Sequence, residues 1–331
     1  MHIDVFNGDA DGIFSLIQLR KVNPIAAEKQ RLVTGVKRDI SLVSKISDTE
    51  ASQAKITVLD ISFDKNEREV ARVLTQSESV FYCDHHQAKK LFEDKRLTTF
   101  INTDPAVCTA LLINDYLQNA QPLWAVTAAY GDGLDDSAEQ LADELQLTMA
   151  QKSSLKELGV LVNYNGYGNT EADLHYPPAE LYNSLMTYDD PFAVIADTAS
   201  PYARLKAGYE VDLANAQAIP VQSEVKAVLV VELPNAPWAN RISGTYGNIL
   251  AAQNRDSAIV IASNNLHDSL TISLRASKNN PYGAADICSQ FATGGGREGA
   301  AGINALPVSE LSQFVNLVSQ TYSNQMQESE T

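Results

Sequence analysis

Four times in its first half the chain runs through a short apolar stretch and stops on a carboxylate. Phe81-Tyr82-Cys83 ends in Asp84-His85-His86, Val5-Phe6 leads through Asn7-Gly8 to Asp9-Ala10-Asp11-Gly12, Thr57-Val58-Leu59 ends in Asp60, and Ala128-Ala129-Tyr130-Gly131 in Asp132. The first three read as strands that exit into acids, and the fourth as the end of a helix. Strand candidates at residues 2–6, 32–36, 56–59, 80–83 and 99–101 alternate with helical patterns at 12–22 and 66–76, which favours an α/β fold with a doubly wound parallel sheet. Ligands of such sheets gather at the carboxyl ends of the strands. The acids therefore stand where a hard divalent cation, which prefers oxygen ligands, would be held.

The remaining chain extends this plan. Residues 134–161 read as helical, Asn163-Tyr164-Asn165-Gly166-Tyr167-Gly168-Asn169 as a loop, and 171–205 as helix plus connector. A second β-rich block follows at 227–233, 258–262 and 270–274, with helices near 282–291 and 309–322. A chain of 331 residues is long for one core. The expected division is a metal-binding domain at 1–190, a linker at 191–215 and a smaller α/β domain with a mixed sheet at 216–326, the active-site cleft lying between the two. The final five residues, Gln327 to Thr331, read as a disordered tail.

Composition removes several function classes. The formal charge is −16, whereas a protein that grips long nucleic acid through its phosphates needs a basic groove. A small anionic ligand remains compatible, since a metal and a few arginines supply local positive charge. No apolar run reaches the roughly 18 residues of a membrane span. The N-terminus enters a strand at once, without a leader pattern. Cys83, Cys108 and Cys288 are odd in number, widely spaced and free of any Cys-x-x-Cys pair, which fits reduced thiols. Together these features read as a cytoplasmic protein.

Seven motifs in order carry a resemblance: Asp9-Ala10-Asp11-Gly12, Asp60, Asp84-His85-His86, Ala106-Val107-Cys108-Thr109, Gly131-Asp132, Ser273-Leu274-Arg275-Ala276-Ser277, and Gly294-Gly295-Gly296-Arg297-Glu298-Gly299-Ala300-Ala301-Gly302. Across nearly the whole chain this resembles the DHH phosphoesterase superfamily, a DHH domain followed by its associated substrate-binding domain. The resemblance implies a binuclear Mn²⁺ centre, with Mg²⁺ or Co²⁺ as substitutes. In it Asp9 serves one metal, Asp11, His85 and Asp132 the other, Asp60 bridges, Asp84 supports and His86 faces the phosphate. Two ions about 3.5–4 Å apart would generate a hydroxide near neutral pH and stabilise in-line displacement at phosphorus.

Two positions depart from the family's pattern. Asn7 stands where many members carry a histidine as the first metal ligand; its amide oxygen is a weaker, uncharged donor. Arg297 follows the three glycines where a histidine is common. Arginine can grip a phosphate with two donors, so Arg275 and Arg297 read as phosphate clamps beside the closely approaching backbone of Gly294, Gly295 and Gly296.

Each feature also has an ordinary structural reading. Aspartates at strand ends cap helices and form turns, Arg275 could be a structural partner, and Arg297 a surface residue. The tyrosines between 164 and 188 could stack on bases but more often pack as half-buried connectors. His175 reads as a loop residue, and Cys83 and Cys108 as small apolar packing.

The resemblance implies a Mn²⁺-dependent phosphodiesterase, nanoRNase-like or pGpG-hydrolase-like, that converts short linear 5′-phosphorylated dinucleotides of the pGpG type to mononucleotides. Alternatives are a nucleoside bisphosphate (pAp-type) phosphatase and a non-catalytic nucleotide-binding regulator, the latter favoured by Asn7 and Arg297. No long nucleic acid and no membrane is expected as partner, and homodimerisation stays open.

Overall fold

The computed structural model describes residues 1–328 apart from Lys90, Ser223, Glu224, Leu266 and His267. It divides into two compact units, 1–208 and 209–331. The segment expected as a linker, 191–215, is largely helical. Part of the expected tail, Ser329 to Thr331, lies outside the described residues.

The first unit contains, in chain order, β1 (His2–Phe6), α1 (Ala10–Val22), β2 (Gln30–Val33), α2 (Asp48–Ala51), β3 (Lys55–Leu59), α3 (Phe63–Leu74), β4 (Ser79–Asp84) and β5 (Leu97–Ile101). Then come α4 (Thr109–Tyr116), α5 (Pro122–Gly131), α6 (Asp135–Glu144), α7 (Met149–Gly166), α8 (Pro178–Met186), α9 (Pro191–Ala196) and α10 (Pro201–Gln217), which crosses the division between units. The five strands form one sheet in the order β2-β1-β3-β4-β5, and every neighbouring pair is parallel.

Local chemistry explains these elements. Strands covered on both faces need nearly continuous apolar residues, and Ile3, Val5, Phe6, Val58 and Leu59 are fully buried. Each large side chain of this kind contributes roughly 1.5–3 kcal/mol by leaving water. Helix α1 is buried from Ala10 to Arg20 and packs against α4, α5, α7 and α8, so no polar stripe is visible in its sequence. Helix α3 lies at the surface, burying Phe63, Val70, Val73 and Leu74.

One acid within a strand is structural. Asp4 accepts from Arg20 Nε at 2.9 Å and from Gln30 Nε2 at 2.7 Å, and the same guanidinium bonds Thr57 at 3.0 Å. A buried charge tolerates its surroundings only when paired in this way.

The second unit comprises β6 (Val228–Leu233), α11 (Pro237–Gln253), β7 (Ala258–Asn264), β8 (Ser269–Arg275), α12 (Ala284–Cys288), β9 (Gly294–Arg297), β10 (Ala300–Pro307) and α13 (Leu311–Glu328). Its sheet has the order β6-β7-β8-β10-β9. Only β6 and β7 are parallel; the other pairs are antiparallel. This is the expected mixed sheet.

The structure moves several expected boundaries. The second strand spans Gln30–Val33 instead of residues 32–36, which frees the following residues for a loop. Helix α7 continues to Gly166 through the segment expected to be a loop. Asn165, buried there, donates to Tyr176 O at 2.8 Å and accepts from His175 N at 3.0 Å, so tertiary bonds override a turn-rich composition. The expected helix 282–291 shortens to α12. Helix α11 and strands β9 and β10 had no counterpart among the expected elements. Among the described residues no helix is long and apolar enough to cross a membrane.

Candidate metal centre

Strand β1 pairs with β2 on one side and β3 on the other, which makes the β1/β3 edge the point where the sheet's winding reverses. Asn7 and Asp9 leave the end of β1, Asp60 follows β3, and Asp84-His85-His86 leaves β4. Asp132 caps the C-terminus of α5. Asp9 caps α1, accepting from Gly12 N at 3.1 Å. Asp11 receives the first N–H groups of α4, from Thr109 at 2.8 Å and Ala110 at 2.7 Å. The ordinary capping role and a site position thus coincide. Gly12 is required sterically, since a Cβ there would lie 2.2 Å from Asn7 O. Asp60 holds the left-handed conformation, φ 57°, a sparsely populated state for a side chain that has a Cβ.

His85 organises the cluster. Its Nδ1 lies 2.9 Å from Val107 O; a carbonyl only accepts, so Nδ1 carries the proton and Nε2 presents a bare lone pair. That Nε2 lies 3.5 Å from Asp60 Oδ1, 3.7 Å from Asp11 Oδ2 and 4.0 Å from Asp132 Oδ2. Neighbouring ligands around a small divalent ion bonded at about 2.1 Å are separated by about 3–4 Å, so the donor set fits such an ion. Two overlapping groups could hold one: Asp11 with His85 and Asp132, and Asp60 with His85 and His86.

His86 is the outer member, its side chain 39% exposed. Its Nδ1 bonds Asp84 Oδ1 at 2.7 Å, and its ring stands edge-on to His85 at 4.7 Å. Asp84 is fully buried, and its Oδ2 has no hydrogen-bond partner among the described residues. Asn7 Oδ1 is likewise buried and without a partner among them, while its Nδ2 donates to Lys37 O at 3.1 Å.

Burial and like charge set the electrostatics of the cluster. Burial drives Asp60 well above the usual carboxylate range, and Asp9, Asp11 and Asp132 add to it. Burial also raises Asp11; His85 opposes it, and Asp132 and Asp9 reinforce it. Burial would raise Asp9 too, but the Lys37 ammonium prevails and holds it low. For His86 burial favours the neutral ring, yet the bond and charge of Asp84, with Asp60 behind it, raise its pKa.

Lys37, absent from the expected site, belongs to it. It follows β2, and its Nζ lies 2.5 Å from Asp9 Oδ2, 3.6 Å from Asp132 Oδ1 and 3.0 Å from Asn163 Oδ1. Burial lowers its pKa, but Asp9, Tyr167 and Asp132 carry it well above the ordinary lysine value. A surface-like context, Gly35-Val36-Lys37-Arg38-Asp39, conceals this in the sequence.

In the second unit Arg275 and Arg297 share one rung. Both pair with Ala300, Arg275 on β8 and Arg297 on β9, so they stand on one face of the sheet two strand spacings, about 9.6 Å, apart. Arg275 is also tied to its own unit, by Nε to Asn248 Oδ1 at 2.6 Å and by Nη1 to Ser273 Oγ at 2.8 Å. The glycines divide by role. A Cβ on Gly294 would lie 1.8 Å from Cys288 O, and on Gly296 2.4 Å from Ala301 Cα at φ 149°, whereas Gly295 has open space. Two of the three are needed by the hairpin itself. His175 bonds Tyr164 at 2.8 Å, and all three cysteines are buried and free, as packing residues should be.

No family model matches the chain, and no curated protein is similar to it by sequence. Solved structures are similar. A DHH-domain protein described as a member of a family of ribosomal proteins aligns over 98% of this chain and 86% of its own, with a TM-score of 0.66 and 13% identity. Exonuclease RecJ bound to manganese aligns over 97% of this chain and 90% of its own, at 0.57 and 18%. A pGpG-specific phosphodiesterase from Vibrio cholerae aligns over 98% and 99%, at 0.53 and 11%. The chain therefore has the fold of DHH-domain proteins, with an α/β parallel-sheet unit followed by a smaller mixed-sheet unit.

Proposed function

We propose that the protein is a divalent-metal-dependent phosphodiesterase of the DHH superfamily that hydrolyses short linear 5′-phosphorylated dinucleotides, of the pGpG type, to mononucleotides. The observation that carries this reading is the convergence of Asp11, Asp60, Asp132 and the bare Nε2 of His85 at the carboxyl edge of a parallel sheet. Of the proteins with similar structures, one is an exonuclease bound to manganese and one a pGpG-specific phosphodiesterase. The latter matches this chain over nearly its full length, as the exonuclease also does.

Asp11, His85 and Asp132 would hold the ion, with Asp60 beside it. Mn²⁺ suits carboxylates and an imidazole, with Mg²⁺ or Co²⁺ as substitutes. When bound, it supplies Lewis acidity, lowering the pKa of the attacking water and offsetting charge on the phosphoryl oxygens. His86, oriented by Asp84 and open to solvent on its outer side, donates to the phosphate and protonates the departing ribose oxygen. The water oxygen joins phosphorus and the phosphorus–ribose oxygen bond breaks; the released hydroxyl carries the proton given by His86, one water proton restores His86 and the other leaves to solvent. Arg275 and Arg297, on one face of the second sheet, would neutralise substrate phosphates.

Product analysis with Mn²⁺ and a matched panel tests the reading: pGpG, pApA, a five-nucleotide RNA, cyclic di-GMP and adenosine 3′,5′-bisphosphate. Conversion of linear dinucleotides to mononucleotides, lost on chelation, is the expected result. Turnover of the bisphosphate alone would reassign the protein as a phosphatase, and no turnover by metal-loaded protein would make it a nucleotide-binding regulator.

A further inference from the structure

Nζ of Lys37 sits inside the carboxylate cluster and is anchored from several directions. It contacts Asp9 at 2.5 Å and Asn163 at 3.0 Å, lies 3.6 Å from Asp132, and is 5.4 Å from the centre of the Tyr167 ring. The backbone is fixed as well: Lys37 N donates to Gly166 O at 2.9 Å, and Lys37 O accepts from Asn7 Nδ2 at 3.1 Å. This lysine is therefore built into the floor of the site. The clusters of three acid or histidine donors lie on the other side of the site: both such clusters among the described residues include His85, and neither includes Asp9. His85 has a single lone pair to give, because Nδ1–H is committed to Val107 O, so only one of the two groups can use it at a time.

We propose that the Lys37 ammonium is the resident cation on the Asp9 side of the cluster, so that the site takes one divalent ion instead of the two implied by the resemblance to DHH phosphoesterases. Asp9 then acts as a counter-ion. Its Oδ1 accepts from Gly12 N–H and its Oδ2 from the ammonium. Asn7 completes the exchange. The nitrogen of its amide ties down the Lys37 segment, and its neutral Oδ1 would bring no negative charge to a second ion. The lysine supplies fixed positive charge without a second dissociable ion, in keeping with the preference of ammonium for clustered oxygens.

The proposal rests on the metal-centre reading above, and metal counting separates the two. Metal-stripped full-length protein is titrated with Mn²⁺, bound metal is measured by equilibrium dialysis, and the electron paramagnetic resonance spectrum is recorded. The expected result is one equivalent with the six-line signal of an isolated Mn²⁺, rising in Lys37→Met to two equivalents with the broadened spectrum of coupled ions. Two coupled ions in the wild type would overturn the proposal, as would a folded Lys37→Met protein that still takes one. If Lys37→Met does not fold, the wild-type count decides alone. Absence of tight binding by the wild type would overturn the metal-centre reading itself.

Discussion

Val107 O determines what His85 can do: by accepting from Nδ1–H it leaves the Nε2 lone pair facing three carboxylates. Substituting His85→Ala is expected to lower Mn²⁺ affinity at least 100-fold, read by calorimetric titration, since orienting partners alone are worth about 10–100-fold. Asp84 holds His86 by a hydrogen bond, so on the proposed mechanism Asp84→Asn should lower kcat by about 10–100-fold while leaving Mn²⁺ stoichiometry unchanged. Asp60 carries the clearest stability signature. Its carboxylate is buried among like charges, and asparagine is neutral and tolerates the left-handed backbone that Asp60 adopts. Asp60→Asn should therefore raise the Tm of the metal-free protein by a few degrees and shrink the Mn²⁺-induced shift, both measured by calorimetry. The acids and His85 were legible because each closes an apolar run. Lys37 was not, since a lone lysine in a polar loop gives no local sign that folding will carry it to Asp9 and Asp132.

Tight backbone approach at the elements that carry these residues sets the next predictions. Gly12→Ala would force a Cβ into the backbone of Asn7, a clash costing about 1–3 kcal/mol and displacing Asp9 and Asp11 together; chemical denaturation and Mn²⁺ binding should both register it. In the β9–β10 hairpin, Gly294→Ala is expected to destabilise while Gly295→Ala leaves stability near wild type, because only Gly295 has open space. A rise in KM for Gly295→Ala without loss of Tm would mark it as the place where backbone meets ligand. The parallel sheet was readable from strand-length apolar runs alternating with helices. The glycine hairpin was not: three glycines carry no hydrophobic alternation, and their need for close backbone contact appears only once Cys288 and Ala301 are in place. Helix α7 hid its last turn for a related reason, since Asn165 spends its side chain on Tyr176 and His175.

The whole chain carries a formal charge of −16, which bears on how the substrate is held. Proteins that neutralise six to ten phosphates lose about 10³–10⁵ in affinity between 50 and 200 mM salt. Here the few cations are local, so KM for a dinucleotide should change less than about threefold over that range, in steady-state assays. Mn²⁺ at 100 times its Kd should stabilise the native protein by about 2.7 kcal/mol, because its ligands are assembled only in the folded chain. A parallel sheet followed by a smaller mixed sheet was readable in outline, but the helical content of 191–215 was not, because Tyr, Pro and Asp there resemble a connector. The most direct test of the central claim follows GMP release from pGpG as metal-stripped protein is titrated with Mn²⁺, beside Asp132→Ala. Turnover is expected to rise in step with bound Mn²⁺, to disappear on chelation and to be absent from the variant. Turnover that persists without metal, or that survives in Asp132→Ala at saturating Mn²⁺, would contradict the claim.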